Sequence, residues 1–74
     1  MNKQKYVSLS KGNEIIVFPM TIQHNTFKSL DPVSAGFCYI HNNHVECFGR
    51  SVSLGLESMV RDSETATIQL FGRN

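Results

Sequence analysis

Cys38, His41, His44 and Cys47 follow one another at intervals of three, as C-x-x-H-x-x-H-x-x-C, around Asn42 and Asn43. Thiolates and imidazoles are common zinc ligands and also serve as nucleophile and base in covalent catalysis, so the constellation invites a metal centre or a thiol activity. Strand parity works against both. If Asn42 and Asn43 make a two-residue turn, Cys38 stands opposite Cys47 on one face of a ladder and His41 opposite His44 on the other. Four tetrahedral ligands cannot converge from two faces of one sheet. A four-residue loop from His41 to His44 would still pair the two cysteines and would let the imidazoles curl back. The expectation is no metal and no cofactor, with Cys38 and Cys47 acting as small buried hydrophobes beside Gly36, Ile40, Val45 and Gly49. The histidines are then polar turn residues. Opposed positions on adjacent strands lie within bridging range, which makes Cys38 and Cys47 a candidate redox pair.

No other chemistry is spelled out. Ser51 and Ser53 lie in Gly49-Arg50-Ser51-Val52-Ser53-Leu54-Gly55, which lacks the single-residue spacing of a nucleophile elbow. Gly36, Gly49, Gly55 and Gly72 are too dispersed for a phosphate-cradling loop. An enzyme is therefore not expected.

The elements that must position these residues are short. Residues 6–9 lean towards β structure, Ser10, Lys11, Gly12 and Asn13 supply turn chemistry, and residues 14–18 are β-branched and aromatic up to Pro19, which predicts a hairpin. Thr21 is placed to cap a two-turn helix over residues 22–30, with Phe27 and Leu30 on its buried side and Asp31-Pro32 setting its end. Residues 33–40 and 45–50 read as a second hairpin about Asn42-Asn43. Leu54 and Leu56 alternate around Gly55, as in a continued strand or an ordered loop. Ala66, Ile68 and Leu70 alternate as a strand would. Yet Asp62 or Ser63 can cap a helix, Glu64 suits its positive end and Gly72 its terminus, which favours a helix over residues 63–71. The order β-β-α-β-β-α predicts an α+β fold, a small antiparallel sheet with two short helices on one face, in one domain over residues 1–74.

Composition narrows the partners. The chain has 74 residues, of which 41% are hydrophobic and 18% charged, with a formal net charge of +1. Its cations form no stripe, so nucleic acid is not an expected partner. The apolar run at residues 15–18 stops at Pro19 after four residues, which fits neither a signal peptide nor a membrane span. A cytoplasmic location with free thiols is expected.

The segments Pro32-Val33-Ser34-Ala35-Gly36-Phe37, Glu46-Cys47-Phe48-Gly49-Arg50-Ser51 and Ser53-Leu54-Gly55-Leu56 resemble a group of short uncharacterised bacterial proteins. The resemblance spans about residues 18–71. It implies a short helix near a histidine before the PVSAGF strand and a charged closing helix of R-P-E-D type, but no activity. Residues 59–64 here read Met-Val-Arg-Asp-Ser-Glu and lack that proline.

Size then becomes the functional clue. A chain this short buries only about 60% of its unfolded surface. By parity Phe37, Tyr39 and Phe48 share the face opposite the cysteines, and two short helices can hardly cover both faces. The expectation is a small non-enzymatic interaction module, a homodimer or the regulator of a protein partner, with Phe37, Tyr39 and Phe48 as its contact surface. Residues 6–9, flanked by Lys3 and Lys5, are the candidate edge strand. The alternative is a thiol- or metal-dependent protein using Cys38, Cys47 and the nearby histidines.

Overall fold

The computed structural model describes residues 3–9 and 13–72. Four strands, β1 (Lys3–Leu9), β2 (Glu14–Phe18), β3 (Ser34–His41) and β4 (His44–Phe48), form one antiparallel sheet in the order β2-β1-β3-β4. A smaller two-stranded sheet pairs β5 (Arg50–Ser51) with β6 (Leu56–Glu57), and helix α1 (Val60–Phe71) closes the fold. The α+β class expected from the pattern is the one observed. The expected Ser10-Lys11-Gly12 turn lies outside the described residues, although its last residue, Asn13, donates its N–H to the Leu9 carbonyl.

The second hairpin follows its sequence closely. Asn42 and Asn43 both adopt positive φ, 49° and 58°, as a tight two-residue turn with right-handed strands demands. That turn sets the register, with Cys38 opposite Cys47, Ile40 opposite Val45 and His41 opposite His44. Gly36 and Gly49 mark where β4 bends into β5. A Cβ on Gly36 would collide with the Phe48 carbonyl oxygen, and Gly49 turns the chain at φ 77°. Residues 51–58, which the pattern left between strand and loop, therefore hold both: the end of β5, a turn and β6.

Three expectations change. The strand over residues 6–9 is not an edge, because β1 pairs with β2 on one side and β3 on the other. The edges are β2 and β4. The first helix is a 3-10 segment, His24–Leu30, entered through Gln23 without a side-chain cap. Only His24 and Phe27 of this segment turn inward, while Leu30 is 51% exposed.

The third change concerns the helices' placement, since they do not share a face. Helix α1 lies over the face carrying Tyr6, Ile15, Cys38 and Val45, into which Ala66 inserts. The 3-10 segment and the β5-β6 hairpin lie over the other, where Phe27, Leu54 and Leu56 pack on Val7, Leu9, Phe18 and Ala35. The reason lies in the side chains at the crossing. The cysteine face offers Gly36, Cys38 and Val45, low enough for a helix to sit close. Phe18 and Phe37 on the other face leave a slot that the ring of His24 fills edge-on, at 5.5 and 5.6 Å between centroids. Its Nε2 lies 2.8 Å from the Gly36 carbonyl, which pins the segment to β3.

Candidate functional site

The four residues of the C-x-x-H-x-x-H-x-x-C constellation are divided between the faces. Cys38 and Cys47 lie under α1, Cys38 fully buried and Cys47 half-buried, both as free thiols. His41 and His44 lie exposed on the opposite face beside the turn, with ring centroids 6.3 Å apart. Among the described residues no group of three or more His, Cys, Asp and Glu side chains converges as a metal cluster would.

The cysteines are in register, and the Cys47 N–H points outward to Ser63 Oγ at 2.8 Å, so the two occupy a non-hydrogen-bonded pair where side chains approach most closely. Their surroundings favour the thiol. Burial pushes Cys38 up to about 11. Burial, with lesser contributions from Cys38 and the Asp62 carboxylate, pushes Cys47 up to about 12. A thiolate is the reactive form, so this burial works against reaction of either sulfur at neutral pH.

Beneath the start of α1 is a polar cluster that reasoning from sequence did not assemble. Asp62 is fully buried, and its Oδ2 accepts hydrogen bonds from Tyr6 Oη at 2.5 Å, Ser34 Oγ at 2.8 Å and the Met59 N–H at 2.9 Å. Asp62 was weighed only as a helix cap. It stands instead at the third helical position and holds the helix entry to β1 and β3. Burial, then the hydrogen bond and charge of Asp62, push the Tyr6 phenol well above its usual range. Among the described residues, Asp62 Oδ1 and Ser8 Oγ are buried without a hydrogen-bond partner. The only sequence signal was a tyrosine and two serines on the inward parity of β1 and β3. Sealed from solvent at 0% exposure, Tyr6, Ser8, Ser34 and Asp62 offer a substrate no approach.

The third cluster is the expected aromatic surface. Tyr39 and Phe48 stack with centroids 5.2 Å apart and planes 19° off parallel, and Phe37 lies 6.1 Å from Phe48. Lys3 Nζ sits 4.9 Å from the centre of the Phe37 ring. All three rings are half-buried, and their neighbours Lys3, His41, His44 and Glu46 are exposed. Phe27, Leu54 and Leu56 pack over Val7, Leu9, Phe18 and Ala35, and His24 reaches the edge of Phe37, which leaves the stacked Tyr39 and Phe48 pair furthest from this cover.

By contrast, α1 reaches both edges of the sheet. Thr67 Oγ1 accepts from the Val45 N–H at 2.9 Å and lies 3.2 Å from the Val45 carbonyl, while Gln69 holds the Ile15 N–H at 2.8 Å and the Ile15 carbonyl at 2.5 Å. With Ser63 on Cys47, one helix satisfies outward backbone groups on both β4 and β2. No helix is long and apolar enough to cross a membrane among the described residues. No family model, curated protein or solved structure matches the chain.

Proposed function

We propose that this chain is a small non-enzymatic protein-interaction module whose contact surface is the aromatic end of the sheet, Phe37, Tyr39 and Phe48. The observation that carries the reading is the unequal cover of one sheet face. At the Val7 end the face is sealed, whereas at the Tyr39 end a stacked aromatic pair stays half-exposed on regular backbone. Exposed clusters of large apolar side chains mark contact surfaces in small soluble domains, and aromatic residues dominate such contacts. The alternative of an added strand is less favoured, because side chains of α1 already occupy outward groups of both edge strands. A cytoplasmic location agrees with two free thiols.

The test compares the two ends of that face. Rings that serve a partner contribute little to the lone chain, so Tyr39→Ser combined with Phe48→Ser should cost about 1 kcal/mol in urea unfolding at low protein concentration. Phe18→Ala at the sealed end should cost about 3 kcal/mol or more. A core-sized loss for the Tyr39 and Phe48 pair would make those rings part of the fold and overturn the reading.

A further inference from the structure

Resting on that contact surface, we infer that its partner is a second copy of this chain, docked face to face with β3 lying over β3 of the partner. The argument comes from one row of the sheet. Lys3 on β1 is in register with Tyr39 on β3, and Tyr39 is in register with Glu46 on β4. Register partners share a face, so a cation, an aromatic ring and an anion stand in line across it. Lys3 and Glu46 stand two strand spacings apart, about 10 Å between backbones, and Lys3 Nζ rests over the Phe37 ring instead of reaching Glu46. Both are exposed, and neither forms an ion pair among the described residues.

This row is complementary to itself. A two-fold axis along β3, in the plane between the sheets, exchanges the β1 side of one copy with the β4 side of the other. Lys3 then comes over the partner's Glu46, Glu46 over the partner's Lys3, and Tyr39 over the partner's Tyr39. The next row, Lys5, Phe37 and Phe48, is partly taken by His24, which meets Phe37 edge-on, so the contact centres on the Tyr39 row with Phe48 at its margin. A two-fold axis across the strands would instead set lysine on lysine and glutamate on glutamate. Charge therefore selects one of the two symmetric arrangements. The pairing is isologous, as in most small homodimers, and sheet twist would cross the two β3 strands at about 30°. Three half-exposed rings per copy make a small interface of the weak, reversible class.

Sedimentation velocity on the full chain, from about 10 μM to about 1 mM, tests this. The chain should pass from monomer to dimer across that range, and the dimer should weaken as salt is raised. Lys3→Glu alone and Glu46→Lys alone each turn two attractions into two repulsions and should each raise the dissociation constant about tenfold. An equimolar mixture of these two variants restores opposite charges at both contacts and should dimerise at least as well as the parent. Lys3 and Glu46 are exposed, so dilute-solution melting should hardly change, which separates association from folding. A chain that stays monomeric throughout overturns the self-pairing, as does a mixture no better than its components. Either result leaves the contact surface standing if the Tyr39→Ser, Phe48→Ser double variant keeps its stability; a core-sized loss there would instead overturn the reading beneath it.

Discussion

The two faces of this sheet solve the same problem differently. On the α1 face, a 12-residue helix lies low over small side chains, and its polar groups reach past them to Ile15 on one edge and to Val45 and Cys47 on the other. On the opposite face, a 3-10 segment of seven residues and a two-stranded hairpin cover only one end. The difference teaches where a small domain invests its polar groups. Hydrogen bonds from α1 specify one position on the sheet, and the helix seals Tyr6, Cys38 and Val45 beneath it. The other face is held by ring packing and one imidazole, and the Tyr39 row beyond that cover stays half-exposed.

The sharpest way to break the comparison is to remove the polar centre of the closed face. Asp62→Ala strips three donors of their acceptor, and at 1–3 kcal/mol for each donor left unsatisfied it should cost about 3 kcal/mol or more in urea unfolding. Tyr6→Phe, which removes one donor and keeps the ring, should cost about 1–2 kcal/mol. If Asp62→Ala unfolds no more easily than the parent, α1 is held by apolar contact alone and the two faces differ only in area. Next in size is Gly36→Ala. The added methyl meets backbone, not a yielding side chain, so β4 must move away from β3 where it bends. About 2 kcal/mol is expected, read as a lowered urea midpoint with unchanged slope.

How far these faces were legible in the sequence follows from what each interaction depends on. The second hairpin was readable because its determinants are local. Asn42 and Asn43 tolerate positive φ, and parity then places Cys38, Cys47, Phe37, Tyr39 and Phe48 without knowledge of the rest of the chain. The position of β1 was not readable, because pairing Lys3 with Tyr39 across 36 residues is decided by the whole sheet. Lys3 and Lys5 suggested a guarded edge, whereas they stand on a central strand. Lys5 Nζ is bonded to the Ile22 carbonyl at 2.8 Å. The Asp62 cluster was hidden for a similar reason. Helix propensity proposed Asp62 or Ser63 as a cap, but the helix begins at Val60, and both side chains serve strands far away in sequence.

The closed face also carries a pH signature that the open one lacks. An unfolded thiol ionises near 8.5, whereas burial holds Cys38 up to about 11 and Cys47 up to about 12 in the folded chain. The unfolded state therefore releases its protons first as pH rises. The stability these thiols contribute is complete below about 8.5 and is lost between there and their folded values. For the fully buried Cys38, the loss by pH 10 should be about 2 kcal/mol. Urea midpoints measured from neutral to alkaline pH should fall along this limb, and Cys38→Ala should flatten it whatever its own cost at neutral pH. A limb unchanged in that variant would mean that solvent reaches the sulfur and that the α1 face is less closed than its packing implies.

The smallest effect probes the edges, where the faces meet. Thr67 Oγ1 accepts from the Val45 N–H, and its single hydrogen lies between the carbonyls of Ser63, at 2.8 Å, and Val45, at 3.2 Å. Thr67→Val keeps the shape and the branched Cβ but leaves the outward N–H of Val45 to water. A partly buried backbone donor that water can still reach should cost about 1 kcal/mol, less than the sealed donors around Asp62. The more telling readout is amide exchange, which should speed up at Val45 while Cys38, buried on β3 in register with Gln4 of β1, keeps its protection. Released in this way, β4 presents an unpaired edge, and strand addition competes with face-to-face docking for the first time. If Thr67→Val associates more strongly than the parent, and that association no longer responds to charge reversal at Lys3 or Glu46, then the helix's polar side chains do more than hold the fold. They close the edges and leave the aromatic row as the surface at which the folded chain meets another.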